Sequence, residues 1–275
     1  MNTAVDMLKE GAQGDIMPWE VQLGASNRFA LSIAEVEELA LRNGFLPSRY
    51  QRNRKTITTE DQLRLFSSAV AVVGCGGLGG YVLEEFARLG VGRIRVIDPD
   101  CFAEHNLNRQ ILSTLNTLGM PKVEAAERRI AVINPAVTVE AFEEALTEEN
   151  GASLLGGVDV AVDGLDSISA RRALANVCDS LAIPLVHGAI GGWYGQVLVQ
   201  FPGDRIIEEL YGNAKSDKGA ESCLGNPAFT PAVISSMQVA MACRLIISGG
   251  TEPERGRLYS VNLKDMELNT LHLKK

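Results

Sequence analysis

Three clusters of residues in this 275-residue chain have types and spacing that could do chemistry. The first is glycine-rich. Gly74, Gly76 and Gly79 stand in G-x-G-x-x-G spacing, with Gly77 between them. In a strand–turn–helix setting the first glycine allows the tight turn, the second lets backbone approach a phosphate, and the third lets the helix pack closely. Free N–H groups and the positive end of the helix dipole then attract an anion. Asp98 lies where an acid would accept a hydrogen bond from a ribose hydroxyl. The second cluster follows at once: Asp100, then Asn106, Arg109, Gln110 and Lys122. Two fixed positive charges among amide donors suit a triphosphate better than a nicotinamide ring. A carboxylate attacking an α-phosphate meets strong anionic repulsion, and charge-assisted hydrogen bonds of roughly 1.5–3 kcal/mol each offset it. The third cluster is Asp163, Asp166 and Ser167. Mg²⁺ is held by one or two carboxylates plus phosphate oxygens, so Asp166 is the metal candidate, although one of the two acids could instead cap the helix that starts near Ile168.

Elements must bring these clusters together. Ala69 to Val73 and Val158 to Val162 read as strands buried on both faces, and Ile94 to Ile97 as a further strand ending at Asp98. Leu78, Val82, Leu83, Phe86 and Leu89 make the apolar face of the helix after the glycine loop, which Gly90 is placed to end. Helix patterns over Val123–Ile133 and Ile168–Leu181 alternate with strand patterns over Val137–Phe142 and Leu185–His187. The alternation implies an α/β fold, a Rossmann-like doubly wound and mostly parallel sheet. Gln196 to Phe201 follows closely enough for a hairpin, which makes the C-terminal edge antiparallel. Carboxyl ends of such strands are where ligands bind. Two further units complete the organisation: residues 1–48 form an N-terminal helical extension, with Ser32 and Glu35 as a capping box for a helix over Ala34–Arg42, and residues 49–275 form the nucleotide-binding domain. Within the latter, residues from about 204 to 230 read as a mobile polar loop crossing the site, and Pro231 stands at the first position of a helix striped with Val233, Ile234, Met237, Met241 and Leu245.

Taken in order, Gly74-Cys-Gly-Gly-Leu-Gly79, Asp98-x-Asp100, Asn106-Leu-Asn-Arg-Gln110, Gly119-Met-Pro-Lys122, Ile133-Asn-Pro135, Asp163-x-x-Asp166, His187-Gly-Ala-Ile190 and Gly195-Gln196 resemble the ThiF/MoeB/HesA family over about Leu46 to Met266. These are bacterial relatives of ubiquitin-activating enzymes. The resemblance implies Gly77 at the nucleotide phosphates, Asp98 on the ribose, Asn106, Arg109 and Gln110 around the phosphates, Lys122 on the triphosphate and Asp166 on Mg²⁺. Arg49-Tyr-Gln-Arg52-Asn53 is similar to the family's Arg-Tyr-x-Arg-Gln opening, with Asn53 in place of Gln. The likeness implies that Arg52 reaches the ATP of a partner subunit in a homodimer. Cys223 aligns with the cysteine that takes part in sulfur or acyl transfer in some relatives. Two Cys-x-x-Cys pairs that hold structural zinc in many members are missing, and no structural zinc is expected. The implied reaction is ATP-dependent adenylation of the C-terminal glycine of a small ubiquitin-like sulfur-carrier protein ending in Gly-Gly, with a sulfurtransferase or desulfurase as the later sulfur donor. Two alternatives stand beside it: an NAD-dependent oxidoreductase on the same fold, and a relative that activates a carboxylate on modified tRNA.

Composition narrows the classes further. A formal net charge of −8 removes the electrostatic basis for general nucleic-acid binding, and 5% aromatic residues are too few for a base-stacking platform. Five cysteines at unpaired spacings argue for a reducing compartment. Met1–Gly14 has no apolar core of a signal peptide, no stretch approaches 18 uncharged apolar residues, and the expected location is the cytoplasm.

Overall fold

The computed structural model describes residues 3–214, 216–219, 221–250 and 255–273. The chain opens with α1 (Ala4–Gly11), β1 (Ile16–Met17), α2 (Trp19–Phe29), α3 (Ile33–Arg42) and β2 (Leu46–Pro47). Thr3 with Asp6 and Ser32 with Glu35 close reciprocal capping boxes on α1 and α3. The two short strands pair in parallel, Ile16 opposite Leu46, and Leu8, Met17, Ala25, Val36 and Ala40 make a small core. Sequence reasoning finds α3 but misses α1 and α2.

The larger part follows as α4 (Thr59–Ser67), β3 (Ala69–Val73), α5 (Gly77–Leu89), β4 (Arg93–Ile97), α6 (Lys122–Ile133), β5 (Thr138–Phe142), α7 (Gly151–Leu155), β6 (Val160–Asp163), α8 (Ile168–Ser180), β7 (Leu185–Gly191) and β8 (Tyr194–Gln200). It ends with α9 (Ile206–Tyr211), α10 (Glu221–Leu224), α11 (Phe229–Ile247) and the hairpin β9 (Arg257–Asn262) and β10 (Glu267–His272). The sheet order is β10-β9-β8-β7-β6-β3-β4-β5, with β3 to β7 parallel and β8 to β10 antiparallel. The chain leaves β3 for β4 on one side and returns at β6 on the other. The loops after β3, β4 and β6 therefore diverge around a crevice at their carboxyl ends. Every residue of β3 is buried, as its unbroken apolar run requires. Gly90 ends α5 at φ 73°, a left-handed position that favours glycine.

Two expectations need correction. Residues 204–222 are not all loop, because Ile206 and Ile207 are buried and start α9; two apolar residues in a polar run give too short a period to read as a helix. Pro231 is the third residue of α11, not the first, since Phe229 and Thr230 precede it inside the helix. The 19-residue α11 is long and apolar enough by composition to cross a membrane, although it carries Arg244 and several polar residues. It packs against α5, β7 and β8, with Ile234, Val239, Ala242 and Leu245 buried in the main core.

Candidate nucleotide site

A cleft of about 320 Å³ lies over the carboxyl ends of β3, β4 and β6. Its floor is the glycine loop. Gly74 takes φ +91°, and its N–H donates to Ile97 at 2.8 Å. A Cβ on Gly79 would fall 1.7 Å from the Gly74 carbonyl oxygen, and one on Gly164 would fall 2.6 Å from the same atom. The turns after β3 and β6 thus touch backbone to backbone, an approach no side chain would allow. Gly77 differs: its Cβ would meet only Pro231 at 3.5 Å and Arg109 at 3.9 Å, ordinary contact distances. Packing does not demand glycine there, so the space belongs to the cleft. Gly76 is the N-cap of α5 without a side-chain cap, which leaves the helix's first N–H groups to a ligand.

The wall next to β4 carries the charges. Asp98 Oδ2 accepts the Cys75 N–H at 2.6 Å and Oδ1 accepts the Asp100 N–H at 2.8 Å, which fixes the carboxylate. Lys122, buried at the start of α6, donates from Nζ to Asp100 Oδ2 at 2.7 Å and sits 3.5 Å from Asp98 Oδ1. Burial raises the Asp98 pKa against the opposing pull of Lys122 and two backbone donors. Burial also acts to lower the Lys122 pKa, but the Asp98 charge and the Asp100 hydrogen bond outweigh it, so its ammonium form is favoured. Arg109 Nη1 donates to the His105 carbonyl at 3.0 Å and to Asn108 Oδ1 at 2.8 Å, and no carboxylate among the described residues pairs with it. Gln110 is buried on the cleft, and its Oε1 has no hydrogen-bond partner. That oxygen is an acceptor only, so any bond from Gln110 to an anion in the cleft would come from its Nε2 amide group.

Across the cleft stand Asp166, exposed and without a hydrogen bond or ion pair among the described residues, and Ser167, whose Oγ caps α8 by accepting the Ala170 N–H at 3.4 Å. The capping task falls to Ser167, which leaves Asp166 free for a cation. An exposed carboxylate with no partner among the described residues is a donor of the kind that Mg²⁺ takes together with phosphate oxygens and water.

Of the residues expected from sequence, the structure gathers Gly74, Gly76, Gly77, Asp98, Asp100, Arg109, Gln110, Lys122, Asp166 and Ser167 on this one cleft. Five others lie elsewhere. Gly79 is packed under the loop. Asn106 is buried, its Oδ1 accepting the Ala103 N–H at 2.9 Å to close the turn that presents Arg109 and Gln110. Asp163 is the last residue of β6 rather than part of the loop, because the strand starts later and runs one residue further than its apolar run suggests. Its register opposite His187 puts the carboxylate inside: Oδ2 lies 2.6 Å from His187 Nδ1 and 3.6 Å from Arg171 Nε. Arg52 is exposed on the turn after Tyr50 and does not line the cleft. Cys223 is exposed in α10, three residues before the cleft residue Asn226, and no cysteine forms a disulfide.

Sequence reasoning missed Arg171, Glu144 and Asn226, which also line the cleft. Glu144 follows β5 and is legible from topology, since that strand ends on the same side. Arg171 has no local motif; it enters from the first turn of α8, its Nη2 donating to the Leu165 carbonyl at 2.6 Å. Asn226 comes from the crossing segment, tied to the Arg109 turn by Asn108 Nδ2 donating to its carbonyl at 3.1 Å.

Comparison with known proteins agrees with this geometry. The model of the ThiF family matches residues 50–275. The SAMP-activating enzyme E1 of Haloferax volcanii is 34% identical over 227 residues, covering 81% of this chain and 84% of that one. The sulfur carrier protein adenylyltransferase of Thermus thermophilus is 35% identical over 221 residues, covering 76% and 81%. Among solved structures, the tRNA N6-threonylcarbamoyladenosine dehydratase TcdA of E. coli superposes with a TM-score of 0.64 at 25% identity, covering 74% of this chain and 95% of that one. A family model that matches from Tyr50 to the end of the chain, together with relatives more than a third identical over about three quarters of it or more, identifies the protein as a member of the ThiF family.

Proposed function

We propose that this protein is an adenylyltransferase that uses ATP to activate the C-terminal glycine carboxylate of a small ubiquitin-like sulfur-carrier protein. The observation that carries this reading is the joint presentation of Arg109, Lys122 and Asp166 around the Gly76–Gly77 N–H groups. The relatives named as sulfur-carrier and SAMP activators supply the substrate class. In the reaction a carboxylate oxygen bonds to the α-phosphorus, the bond from that phosphorus to the bridging oxygen breaks, and pyrophosphate leaves. The attacking group is already ionised, so no general base is required. Asp98 orients the ribose. Arg109 and Lys122 neutralise charge on the phosphates, Gln110 supplies hydrogen bonds, and Asp166 would hold Mg²⁺, which adds further charge neutralisation. Lys122 is held ready by Asp100, whose side chain is 65% exposed, so its transfer to a phosphate loses only a solvent-screened pair.

A homodimer completes the site in this reading. Arg52 stands outside its own cleft, and beside its turn Ile57 joins Leu89, Val239 and Leu245 around an apolar groove of about 570 Å³. A second copy covers that groove and receives Arg52 at its ATP. Cys223, exposed near the mouth, carries the sulfur or acyl step after adenylation, with a separate sulfur donor. The undisulfided cysteines support a cytoplasmic, reducing setting.

The test is exchange of labelled pyrophosphate into ATP in the presence of Mg²⁺ and a Gly-Gly carrier, with thiocarboxylate yield measured on the same preparation. Exchange is expected, and Cys223→Ser should preserve it while stopping thiocarboxylate formation. Turnover of NADH with no exchange for any carrier would instead favour the oxidoreductase. Exchange dependent on a modified tRNA would favour the activity named for the TcdA structure, against which the chain's net charge of −8 argues.

A further inference from the structure

Arg49, Arg52, Arg54 and Lys55 form one basic run, yet the fold treats them unequally. The N-terminal extension takes the flanking arginines. Arg49 Nη1 lies 2.9 Å from Glu37 Oε2 on α3, and its Nη2 donates to Gln22 Oε1 on α2 at 3.0 Å. Its guanidinium also sits 5.1 Å from the Trp19 ring centroid and donates to Asn134 beyond α6. Arg54 pairs with Asp15, next to β1, at 2.5 Å. Between them Tyr50 is fully buried, donating its hydroxyl to Glu37 Oε1 at 2.6 Å and accepting from Asn134 Nδ2 at 2.7 Å. Backbone turns lock the interval, with Asn53 N–H donating to Tyr50 at 2.8 Å and Ile57 N–H to Asn53 at 2.9 Å. Arg52 alone among the three arginines is exposed with no hydrogen bond or ion pair among the described residues, a state it shares with Lys55.

Glu37 is a costly way to hold helices together. Burial raises its pKa, and Arg49 and the Tyr50 hydroxyl pull it back. An apolar residue in its place would pack as well at lower desolvation cost. What an apolar residue could not do is hold Arg49 and the Tyr50 hydroxyl together and neutralise the Arg49 charge. We propose that the N-terminal extension is a clamp that presents Arg52, with Glu37 and Asp15 as positioning residues that hold and neutralise Arg49 and Arg54 on either side of it. The proposal rests on the reading in which Arg52 acts at the nucleotide of a second copy. It assigns a task to the segment that precedes the family-matched residues 50–275.

The test uses the full-length chain and the variants Glu37→Gln and Asp15→Asn, each alone and with Arg52→Ala. Asp15 is exposed, so its variant is expected to fold even if the other does not. Pyrophosphate exchange should lose about tenfold in kcat/KM for ATP with Glu37→Gln and about threefold with Asp15→Asn, with carrier KM unchanged. Adding Arg52→Ala should abolish both effects, since a clamp has nothing left to present. Independently of activity, amide hydrogen exchange across residues 49–57 should accelerate in both variants while β4 stays protected. Equal losses with and without Arg52, or unchanged amide protection over residues 49–57, would overturn the clamp. If Arg52→Ala leaves exchange intact, the clamp and the role of Arg52 both fall while adenylation stands; a chain without any exchange activity would fail the functional reading, and amide protection would still decide the clamp.

Discussion

Gly77 and Gly79 lie two residues apart in one motif and answer to different forces. The first has room for a methyl group against Pro231 and Arg109, whereas the second has backbone at 1.7 Å. Alanine at position 77 also gains in helix propensity, by about 1 kcal/mol relative to glycine. Gly77→Ala should therefore melt no lower than the unaltered protein while its affinity for ATP, measured by calorimetry, falls about tenfold, the equivalent of ~1.4 kcal/mol of lost phosphate approach. Gly79→Ala should fail to fold. Equal ATP affinity in the position-77 variant would remove that residue from the phosphate site.

At the scale of elements, the end of β6 and the turn that leads from it to α8 hold two acids with separate tasks. Asp163 anchors a directed chain. A carboxylate only accepts, so His187 must donate from Nδ1, and the neutral ring then accepts at Nε2 from the Tyr211 hydroxyl 3.1 Å away. Gln196 Nε2, also at 3.1 Å, donates to that hydroxyl in turn. Burial lowers the His187 pKa against the pull of Asp163, which keeps the ring neutral and the chain consistent. The network ties α9 of the crossing segment to the strand that ends at the cleft. Losing Asp163 strands His187 and Arg171 in the core, and breaking such a buried pair costs roughly 3–5 kcal/mol. Asp163→Ala should thus lower Tm by about 10 °C. Asp166→Ala should leave Tm almost unchanged, as surface substitutions do, and abolish pyrophosphate exchange. Thermal melts and exchange on both variants check the division; a stable Asp163→Ala protein would refute it.

For the whole molecule, the question is where Arg52 works. It does not line its own cleft, and the turn that carries it runs on to Thr56 and Ile57, which line an apolar groove with Leu89 and α11. If a second copy covers that groove, Arg52→Ala and Lys122→Ala chains, each strongly impaired alone, should recover about a quarter of normal exchange when mixed, because half of the dimers are mixed and each holds one intact composite site. Subunit exchange shown by native mass spectrometry with no recovered activity would mean that Arg52 does not serve a neighbouring cleft.

The primary structure determined the parallel core and most of the cleft, because both rest on short-range patterns. Unbroken apolar runs such as Ala69–Val73 make buried strands whatever surrounds them, and glycines, Asp98 and Lys122 sit at strand and helix ends that those runs locate. The capping box of Ser32 and Glu35 made α3 legible for the same reason. What only tertiary structure decided depends on contacts between distant segments. Asp163 faces inward because its register meets His187, 24 residues later. Arg171 and Asn226 enter the cleft from α8 and the crossing segment with no local motif to announce them. Ile206 and Ile207 form a helix because the main body supplies a surface that buries them. The sorting of the basic run, with Arg49 and Arg54 bound and Arg52 left exposed, came from Glu37 and Asp15, acids whose partners no spacing rule could assign.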